Sequence, residues 1–274
     1  METVVVIDGD TVLYGSFAYR EYKPRADGSL PTYTEEQDTN YLLNGLARFK
    51  KLISRIEEAT YADRTVLVVK GEGNFRVDLF PEYKAHRKGA YRPVNDFVNA
   101  LRKFSIDCLG AIPAHNMEAD DLARIMFNEE AAKGNTPIIA HIDKDFMCIP
   151  GLHFRFANVF RPATLKKPAG RTVMFYGPDV SVINVTEEEA TRFYYTQLLT
   201  GDSTDGIGGL PRIAIQRATA VLEDCTTEAE MQKRVKFAYQ TIMGDKWEEH
   251  LILTGQLITI LPSRDFKFSI EDWA

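Results

Sequence analysis

The sequence predicts an α/β fold, with a mainly parallel central sheet flanked by helices and a helical C-terminal subdomain. Two observations predict the sheet: short apolar runs that end in acidic residues, and the amphipathic helical segments that separate those runs along the chain. A third observation, the change to helical periodicity after about residue 186, predicts the subdomain. The expected division is therefore residues 1–185 for the α/β core and residues 186–274 for the helical part.

The first elements alternate between the strand and helix patterns. A β-branched run, Val4–Ile7, ends in Asp8-Gly9, which predicts a buried parallel strand followed by a turn. A second buried strand is predicted at Thr65–Val69. Between the two strands, apolar residues recur at steps of three and four, which predicts an amphipathic helix that includes Leu42, Leu46, Phe49, Ile53 and Ile56.

The middle of the chain leaves this core and then returns to it. Residues 71–95 have little periodicity and are rich in Gly, Pro, Tyr, Lys and Arg, so they are predicted to form an excursion. Helices are expected around Phe97–Phe104 and from the acidic cluster at 118–121. A strand is predicted at Pro137–Ile142, leading into Asp143. In parallel sheets of this kind, ligands bind beyond the carboxyl ends of the strands.

The C-terminal region has helical patterns separated by a glycine-rich turn. Thr186 followed by glutamates predicts a capped helix through Leu199, and the turn Gly201–Gly209 follows. Later helices are expected around Met231–Ile242 and Trp247–Leu261.

Composition narrows the class of protein. No apolar run is long enough for a membrane span, and the N-terminus lacks the basic region of a signal peptide. Three separated cysteines without a CxxC pair are typical of reduced thiols in a cytoplasmic protein. Five scattered histidines do not favour a zinc site. The net charge is −6, yet residues 76–103 and 161–171 are locally basic, which is compatible with a polyanionic partner.

Eight acidic residues follow predicted strands, begin predicted helices or lie in tight turns. If the sheet is parallel, several of them meet at one edge, where their mutual repulsion favours bound cations. Oxygen ligands without histidine or thiolate favour Mg²⁺ or Mn²⁺, and a two-ion site suits phosphodiester hydrolysis. The eight acids are Asp8, Glu118, Asp120, Asp121, Asp143, Asp145, Asp202 and Asp205.

The chain resembles the 5′ nucleases: flap endonucleases, the nuclease domain of bacterial polymerase I, and above all the small bacteriophage 5′→3′ exonucleases. Five stretches carry the resemblance in the family order, namely Val6–Asp10, Pro81–Arg87, Glu118–Asp121, Asp143–Phe146 and Gly201–Ile207. The resemblance implies a PIN-like core, a helical arch at about residues 71–115 and a helix–hairpin–helix-like element at about 198–222. It also implies cleavage of DNA at or near a free 5′ end, on a flap, a nick or a duplex end.

Site roles follow from the resemblance. Asp8, Glu118 and Asp120 are expected to bind the first ion and Asp143, Asp145, Asp202 and Asp205 the second, with Asp121 nearby. Lys84 and Arg87 are expected on the arch, where they contact the scissile phosphate, and Tyr83 is expected to stack on a terminal base. DNA binding is further expected from Arg76, Arg92, Gly206, Gly209 and Arg212. A potassium ion at the hairpin element is the remaining cofactor that the resemblance implies.

Two departures from the family pattern affect these expectations. The second predicted strand ends in Lys70-Gly71-Glu72 rather than in an aspartate, so Glu72 is a candidate substitute. After Pro211 the hairpin has Arg212 and Ala214 where the family has glycines, which weakens the case for the potassium ion.

Other functions remain open from the sequence alone. A PIN-like ribonuclease shares the carboxylate core, and a catalytically weak, structure-specific DNA-binding protein is expected if catalysis is lost. A metal phosphatase acting on small substrates is a third candidate. The favoured interpretation is a monomeric phage replication enzyme that removes RNA primers, with RNA–DNA hybrid as a further substrate. If the chain is phage-encoded, its cytoplasmic location is the host cell's.

Overall fold

The structure is a computed structural model that describes residues 1–17, 29, 31–87, 94–156 and 182–273. The chain divides into two compact units. Unit 1 comprises residues 1–72, 90–143 and 152–183, and unit 2 comprises residues 73–89, 144–151 and 184–274. The main boundary lies close to the expected one at 185, but two short segments, 73–89 and 144–151, group with the helical unit.

The predicted strands and helices are present, and several helices extend beyond the residues whose periodicity predicted them. Short 3₁₀ helices at Ala85–Arg87, Lys144–Cys148 and Gly244–Lys246 lie between the main elements. In chain order the main elements are β1 (Thr3–Asp8), α1 (Gly9–Ser16), α2 (Glu35–Thr60), β2 (Arg64–Lys70), α3 (Phe75–Leu79), α4 (Val94–Leu109), β3 (Ile112–Ala114), α5 (Ala119–Ala132), β4 (Thr136–His141), β5 (Gly151–Arg155), β6 (Ile183–Val185), α6 (Glu187–Thr200), β7 (Gly201–Asp202), β8 (Ile207–Gly208), α7 (Ile215–Leu222), α8 (Glu228–Met243) and α9 (Trp247–Ile258).

The sheet of unit 1 is parallel, as predicted. Its strands run in the order β3-β2-β1-β4-β5, and each neighbouring pair among these five is parallel. The chain therefore builds outward from β1 to β3 and then returns to place β4 on the other side of β1. Such a reversal creates a crevice at the carboxyl ends of β1 and β4.

The start of α1 differs from the predicted turn. Asp8 ends β1 and at the same time caps α1, because its side chain accepts a hydrogen bond from the Thr11 amide. Gly9 is required here because a Cβ atom would lie 2.5 Å from the Val68 carbonyl oxygen. The Asp-Gly pair is therefore a direct strand-to-helix junction that packs closely against β2.

Apolar side chains on both faces of the sheet form the core of unit 1. Val4 through Ile7 are fully buried, which is the pattern of a strand covered on both sides. Phe49 and Ile56 of α2 pack into the same cluster, as their helical spacing predicted, and Leu52, which that spacing did not include, packs beside them.

Unit 2 has its own core, formed mainly by helices α6 to α9. Leu198, Val235 and Leu251 are fully buried within it. The predicted cap of α6 is present, since the Thr186 hydroxyl accepts from the Glu189 amide and the Glu189 carboxylate accepts from the Thr186 amide. The glycine-rich turn contains a small antiparallel hairpin of β7 and β8.

A buried carboxylate with three partners lies at the C-terminal end of α5 in unit 1. Glu130 accepts hydrogen bonds from Arg64 Nη2 (2.5 Å), Lys133 Nζ (2.8 Å) and Asn135 Nδ2 (2.8 Å). These bonds, that from Lys133 above all, lower the pKa of Glu130 to about 2. The ionised side chain is therefore the form that stabilises the fold.

We expect Glu130→Gln to lower the free energy of unfolding by about 2 kcal/mol at pH 7, because charge-assisted hydrogen bonds are lost. A carboxyl group whose pKa is lowered by folding stabilises the folded protein at pH values above its unfolded pKa of 4.5. This stabilisation is lost as the pH falls towards about 2. Urea unfolding from pH 7 to pH 2.5 should therefore show the difference from wild type shrinking with acid. Glu58→Gln, at an exposed position of α2, is the control, and an equal loss in both variants would contradict the assignment.

Candidate active site

Two acidic residues of unit 1, Asp8 and Asp143, lie at the carboxyl ends of β1 and β4. Asp8 is the last residue of β1, and Asp143 follows the end of β4 by two residues. The two strands are adjacent and parallel, so their carboxyl ends lie at the same edge of the sheet. Helix α5, which begins after Glu118, leads into β4 and packs on β1. The structure thus places Asp8 and Asp143 at the edge where α/β sheets bind ligands.

Asp8 is the most constrained of these acids. It is buried, and burial raises its pKa to about 6, with the neighbouring Asp10 and Asp143 carboxylates raising it further. Hydrogen bonds from the Thr11 hydroxyl and amide act in the opposite direction. A carboxylate that is ionised at neutral pH in such a place is stabilised by a cation nearby.

Asp10 has a structural role that the sequence did not indicate. Its Oδ1 accepts from Arg102 Nε and its Oδ2 accepts from the Lys70 amide, both at 2.8 Å. Asp10 therefore joins α1 to the end of β2 and to α4, and the Arg102 guanidinium balances its charge. Arg102 belonged to the basic segment that suggested a surface for a polyanion, but here it is largely buried against Asp10.

Glu118, Asp120 and Asp121 lie at the N-terminus of α5, as predicted. Asp121 is fully buried, and its side chain accepts a hydrogen bond of 2.9 Å from the Glu118 amide. Glu118 and Asp120 are half-buried. The positive end of the helix dipole favours all three negative charges.

Two histidines adjoin Asp143, and sequence reasoning missed them. His141 Nδ1 lies 2.7 Å from the Asp143 backbone oxygen, and His141 Nε2 lies 2.8 Å from His153 Nδ1. Both rings are fully buried. The two residues are twelve apart in sequence, and only the pairing of β4 with β5 brings them together.

Glu72, the candidate substitute for the missing strand-end aspartate, is exposed beyond β2. Its backbone oxygen accepts from the Asn116 amide at 2.7 Å. Its role as a ligand stays a prediction.

The other predicted acids lie in unit 2. Asp145 accepts a hydrogen bond of 2.7 Å from Gln197 Nε2 on α6. Asp202 is buried in the β7–β8 hairpin, where its side chain accepts from the Thr204 amide at 2.8 Å. Asp205 lies in the turn of the same hairpin and pairs with Lys84, whose Nζ is 3.2 Å from Asp205 Oδ2.

The side chain of Tyr83 has a different role from the one expected. It is only 2% exposed and packs with Ile207 and Leu257, while its hydroxyl donates to Asp205 Oδ2 at 3.3 Å. A buried ring offers no face for a base, so the expected stacking is wrong for this structure. The ring instead supports the hairpin that carries Asp205.

The expectation that Arg76 binds DNA is also wrong in this structure. Arg76 is 2% exposed, and its guanidinium donates to the backbone oxygens of Leu257 (2.8 Å) and Thr259 (2.6 Å). These carbonyls belong to the C-terminal end of α9, where a helix lacks internal donors and favours a positive charge. Arg76 is therefore a buried helix cap.

The predicted hairpin element ends in an exposed loop and a helix. Gly209 is required for packing, because a Cβ atom would lie 2.1 Å from the Thr200 carbonyl carbon, and Gly206 has a φ of +77°. Arg212 is exposed and also takes a positive φ, of 64°, at a position where the family has glycine. Helix α7 begins after Ala214, which provides no side-chain cap.

Two predicted residues cannot be placed. Arg87 ends a short 3₁₀ helix, but its side chain lies outside the described residues, and Arg92 lies entirely outside them.

The predicted ligands fit divalent ions by their chemistry, because all eight are carboxylates. They divide between the two units, with Asp145, Asp202 and Asp205 in unit 2 and the other five in unit 1. Within the described ranges, no three His, Cys, Asp or Glu side chains already form a group that could hold a metal ion. The ligand set therefore stays a prediction.

No helix in the described part of the chain is long and apolar enough to cross a membrane.

A sequence model of the 5′-3′ exonuclease N-terminal resolvase-like domain matches residues 3–170, which is more than half of the chain. The chain belongs to the 5′-3′ exonuclease family. The resemblance drawn from the five motifs is thereby confirmed, and with it the class of enzyme.

Two relatives of this chain are distant from it in sequence. The 5′-3′ exonuclease of Buchnera aphidicola subsp. Schizaphis graminum is 23% identical over 227 residues, which are 80% of this chain and 69% of that protein. The exodeoxyribonuclease of Enterobacteria phage T3 is 28% identical over 150 residues, 53% of this chain and 42% of that protein. The chain thus spans about two fifths of the phage relative.

Solved structures confirm the fold class. The T5 5′-exonuclease with bound zinc ions superposes with a TM-score of 0.63 at 14% identity, covering 95% of this chain and 90% of that one. A variant of the bacteriophage T5 flap endonuclease, in a pseudo-enzyme-product complex with DNA and metal ions, gives a TM-score of 0.57 at 11% identity, covering 93% and 99%. At these identities the likeness concerns the fold alone.

For this member of the 5′-3′ exonuclease family, we expect Arg76→Met to lower the free energy of unfolding by about 2–4 kcal/mol, because the buried carbonyls at the end of α9 lose a charged donor. Arg76→Lys, which retains one donor group, should lose less. Denaturant unfolding measures the stability, and fluorescence anisotropy measures DNA affinity below the unfolding transition. A stable Arg76→Met protein with weakened DNA binding would restore the DNA-binding assignment.

Proposed function

We propose that this chain hydrolyses DNA phosphodiesters at or near free 5′ ends, as a 5′→3′ exonuclease and flap endonuclease dependent on two Mg²⁺ or Mn²⁺ ions. Its substrates are flaps, nicks and duplex ends, and RNA–DNA hybrids during primer removal. In a phage-infected cell, a monomer acting in the host cytoplasm would serve DNA replication and the degradation of DNA.

The observation that carries the proposal is the position of Asp8 and Asp143 at the carboxyl ends of the adjacent strands β1 and β4. This is the crevice in which α/β enzymes bind their ligands, and the acids gathered there favour a cationic ligand. Asp10 is balanced by Arg102. Asp8 instead keeps a pKa raised to about 6 by burial and by its acidic neighbours.

The proposed ligands of the first ion are Asp8, Glu118 and Asp120, and those of the second ion include Asp143, Asp145, Asp202 and Asp205. Bound divalent ions would lower the pKa of a water molecule and offset negative charge on the phosphate. Divalent zinc ions bound to the T5 5′-exonuclease support the requirement for a divalent metal.

Lys84 is the proposed cation for the scissile phosphate. Its side chain is partly exposed and reaches Asp205, so the ammonium group already lies beside an anionic oxygen of the proposed site. If a phosphate oxygen replaced the Asp205 carboxylate as the partner of Lys84, the ammonium group would still be paired with a negative charge. Arg87 is proposed to assist from the same segment.

The duplex is proposed to bind at the hairpin element and the start of α7. The first amides of α7 have no side-chain cap, and Gly206 and Gly209 allow backbone to approach the phosphates. Arg212 is exposed and adds a positive charge. It stands at a position where the potassium site that the resemblance implies would have glycine. Contacts of this kind bind phosphates without reading sequence.

The function is tested with a 3′-labelled 5′-flap duplex, incubated with Mg²⁺ or with EDTA. We expect metal-dependent cleavage near the flap junction or the 5′ end, and a loss of at least about a hundredfold in Asp143→Ala, because one ligand of the second ion is removed. Asp107→Asn, which alters an exposed ion pair on α4, is the matched control and should cleave normally.

Other outcomes identify the competing functions. Faster cleavage of single-stranded RNA than of flap DNA would indicate a PIN-like ribonuclease. Tight flap binding without cleavage in Mg²⁺ or Mn²⁺ would indicate a DNA-binding protein. Hydrolysis confined to small phosphate esters would indicate a phosphatase.

Arg212→Gly should stabilise the protein while weakening duplex binding. A non-glycine residue at positive φ costs about 1 kcal/mol, which glycine removes. The loss of one phosphate contact should make the slope of log K against log salt shallower by about 0.9. Thermal unfolding and anisotropy titrations at several salt concentrations measure the two effects.

Arg212→Lys is the control, because it keeps both the charge and the strained backbone. It should match the wild type in stability and in salt slope. If Arg212→Gly binds duplex as tightly as wild type with an unchanged slope, Arg212 does not contact phosphate.

A further inference from the structure

We infer that His141 and His153 form a buried hydrogen-bonded pair that positions Asp143 for metal binding. We call these two residues the histidine pair. The inference rests on the proposed function, in that Asp143 is taken as a ligand of the second ion. The histidine pair would act through Asp143 and would not itself contact the metal or the DNA.

The contacts form a continuous line from β5 to the turn that carries Asp143. His153 lies on β5, opposite Ile139 of β4, and its Nδ1 is 2.8 Å from His141 Nε2. His141 ends β4, and its Nδ1 is 2.7 Å from the Asp143 backbone oxygen. Both rings are fully buried and lie edge to face.

The direction of each hydrogen bond follows from the chemistry of the groups. A backbone oxygen only accepts, so His141 Nδ1 carries the hydrogen. In a neutral imidazole the other nitrogen is then an acceptor, and His153 Nδ1 must donate to it. Full burial of both rings favours the neutral form of each imidazole.

This arrangement fixes the exit of β4 in one geometry. Asp143 is exposed, and its side chain lies beyond the last ladder contact of the strand, so the sheet alone does not hold it. The backbone oxygen of Asp143 is instead held by a ring that is itself oriented by a second ring. When a group that hydrogen-bonds to a metal-binding residue is removed, the affinity for the metal typically falls by about 10–100-fold.

Two variants of His153 separate the hydrogen bond from the packing. His153→Leu fills a similar volume without a donor, whereas the amide nitrogen of His153→Asn can occupy the position of Nδ1 and still donate. Phe154→Leu is the matched control, since Phe154 is the next residue on β5 and is also fully buried. Asp143→Ala tests whether Asp143 is a ligand at all.

Mn²⁺ binding to the protein without DNA is measured by electron paramagnetic resonance, with thermal unfolding in parallel. We expect His153→Leu to weaken Mn²⁺ binding about 10–100-fold and His153→Asn to stay within about threefold of wild type. Phe154→Leu should lower the unfolding temperature and leave Mn²⁺ affinity unchanged. Long-range ¹H–¹⁵N spectra should show the hydrogen on Nδ1 in both rings of the wild type.

The outcomes separate the inference from the proposed function. If Asp143→Ala weakens Mn²⁺ binding but folded His153→Leu does not, the histidine pair has no positioning role and the proposed function stands. If His153→Leu and Phe154→Leu lose the same amount of Mn²⁺ affinity, the histidine pair contributes only to packing and the inference is overturned. If Asp143→Ala binds Mn²⁺ like wild type, the assigned ligand set fails and the inference fails with it.

Discussion

The repulsion among carboxylates at the end of the β1 and β4 strands is the constraint on which this structure depends. Three of the acids near these strand ends have hydrogen-bond or ion-pair partners within unit 1. Asp8 accepts from Thr11, and Asp10 is balanced by Arg102. Asp121 accepts from a backbone amide at the positive end of α5. These partners hold the three acids by separate contacts, so each carboxylate is oriented by its own neighbours.

In unit 2 the β7–β8 hairpin has a comparable organising role. Its turn holds Asp205, whose side chain forms an ion pair with the Lys84 ammonium group. The Lys84 backbone amide also donates to the Asp205 backbone oxygen at 2.9 Å. Tyr83 packs beneath the same turn and adds a hydroxyl donor. A proposed metal ligand and a proposed phosphate-binding lysine are thereby fixed to each other within one unit. Their joint position depends on packing around Tyr83, which explains why this tyrosine is buried.

The sequence predicted what depends on local pattern and missed what depends on partners distant in the chain. Strand β1 and helix α2 follow from periodicity, and the position of the acids follows from the parallel sheet. The burial of Arg76 was not predictable, because its partners are carbonyls about 180 residues away at the end of α9. The histidine pair depends on strand register, which periodicity does not give. Helix α1 replaces the predicted turn because Asp-Gly favours turns only where tertiary contacts do not decide otherwise.

Two of the residues proposed to bind phosphate have an unusual backbone conformation. Among the described residues, four that are not glycine have positive φ. Tyr61 caps α2, and Asn116 is a residue type that tolerates this region. The other two are Lys84 and Arg212, for which the left-handed region costs about 1–2 kcal/mol each. Strain of this kind persists where surrounding contacts impose it, and it concentrates at functional sites. Lys84 and Arg212 both carry basic side chains proposed to meet phosphate, one at the scissile bond and one on the duplex.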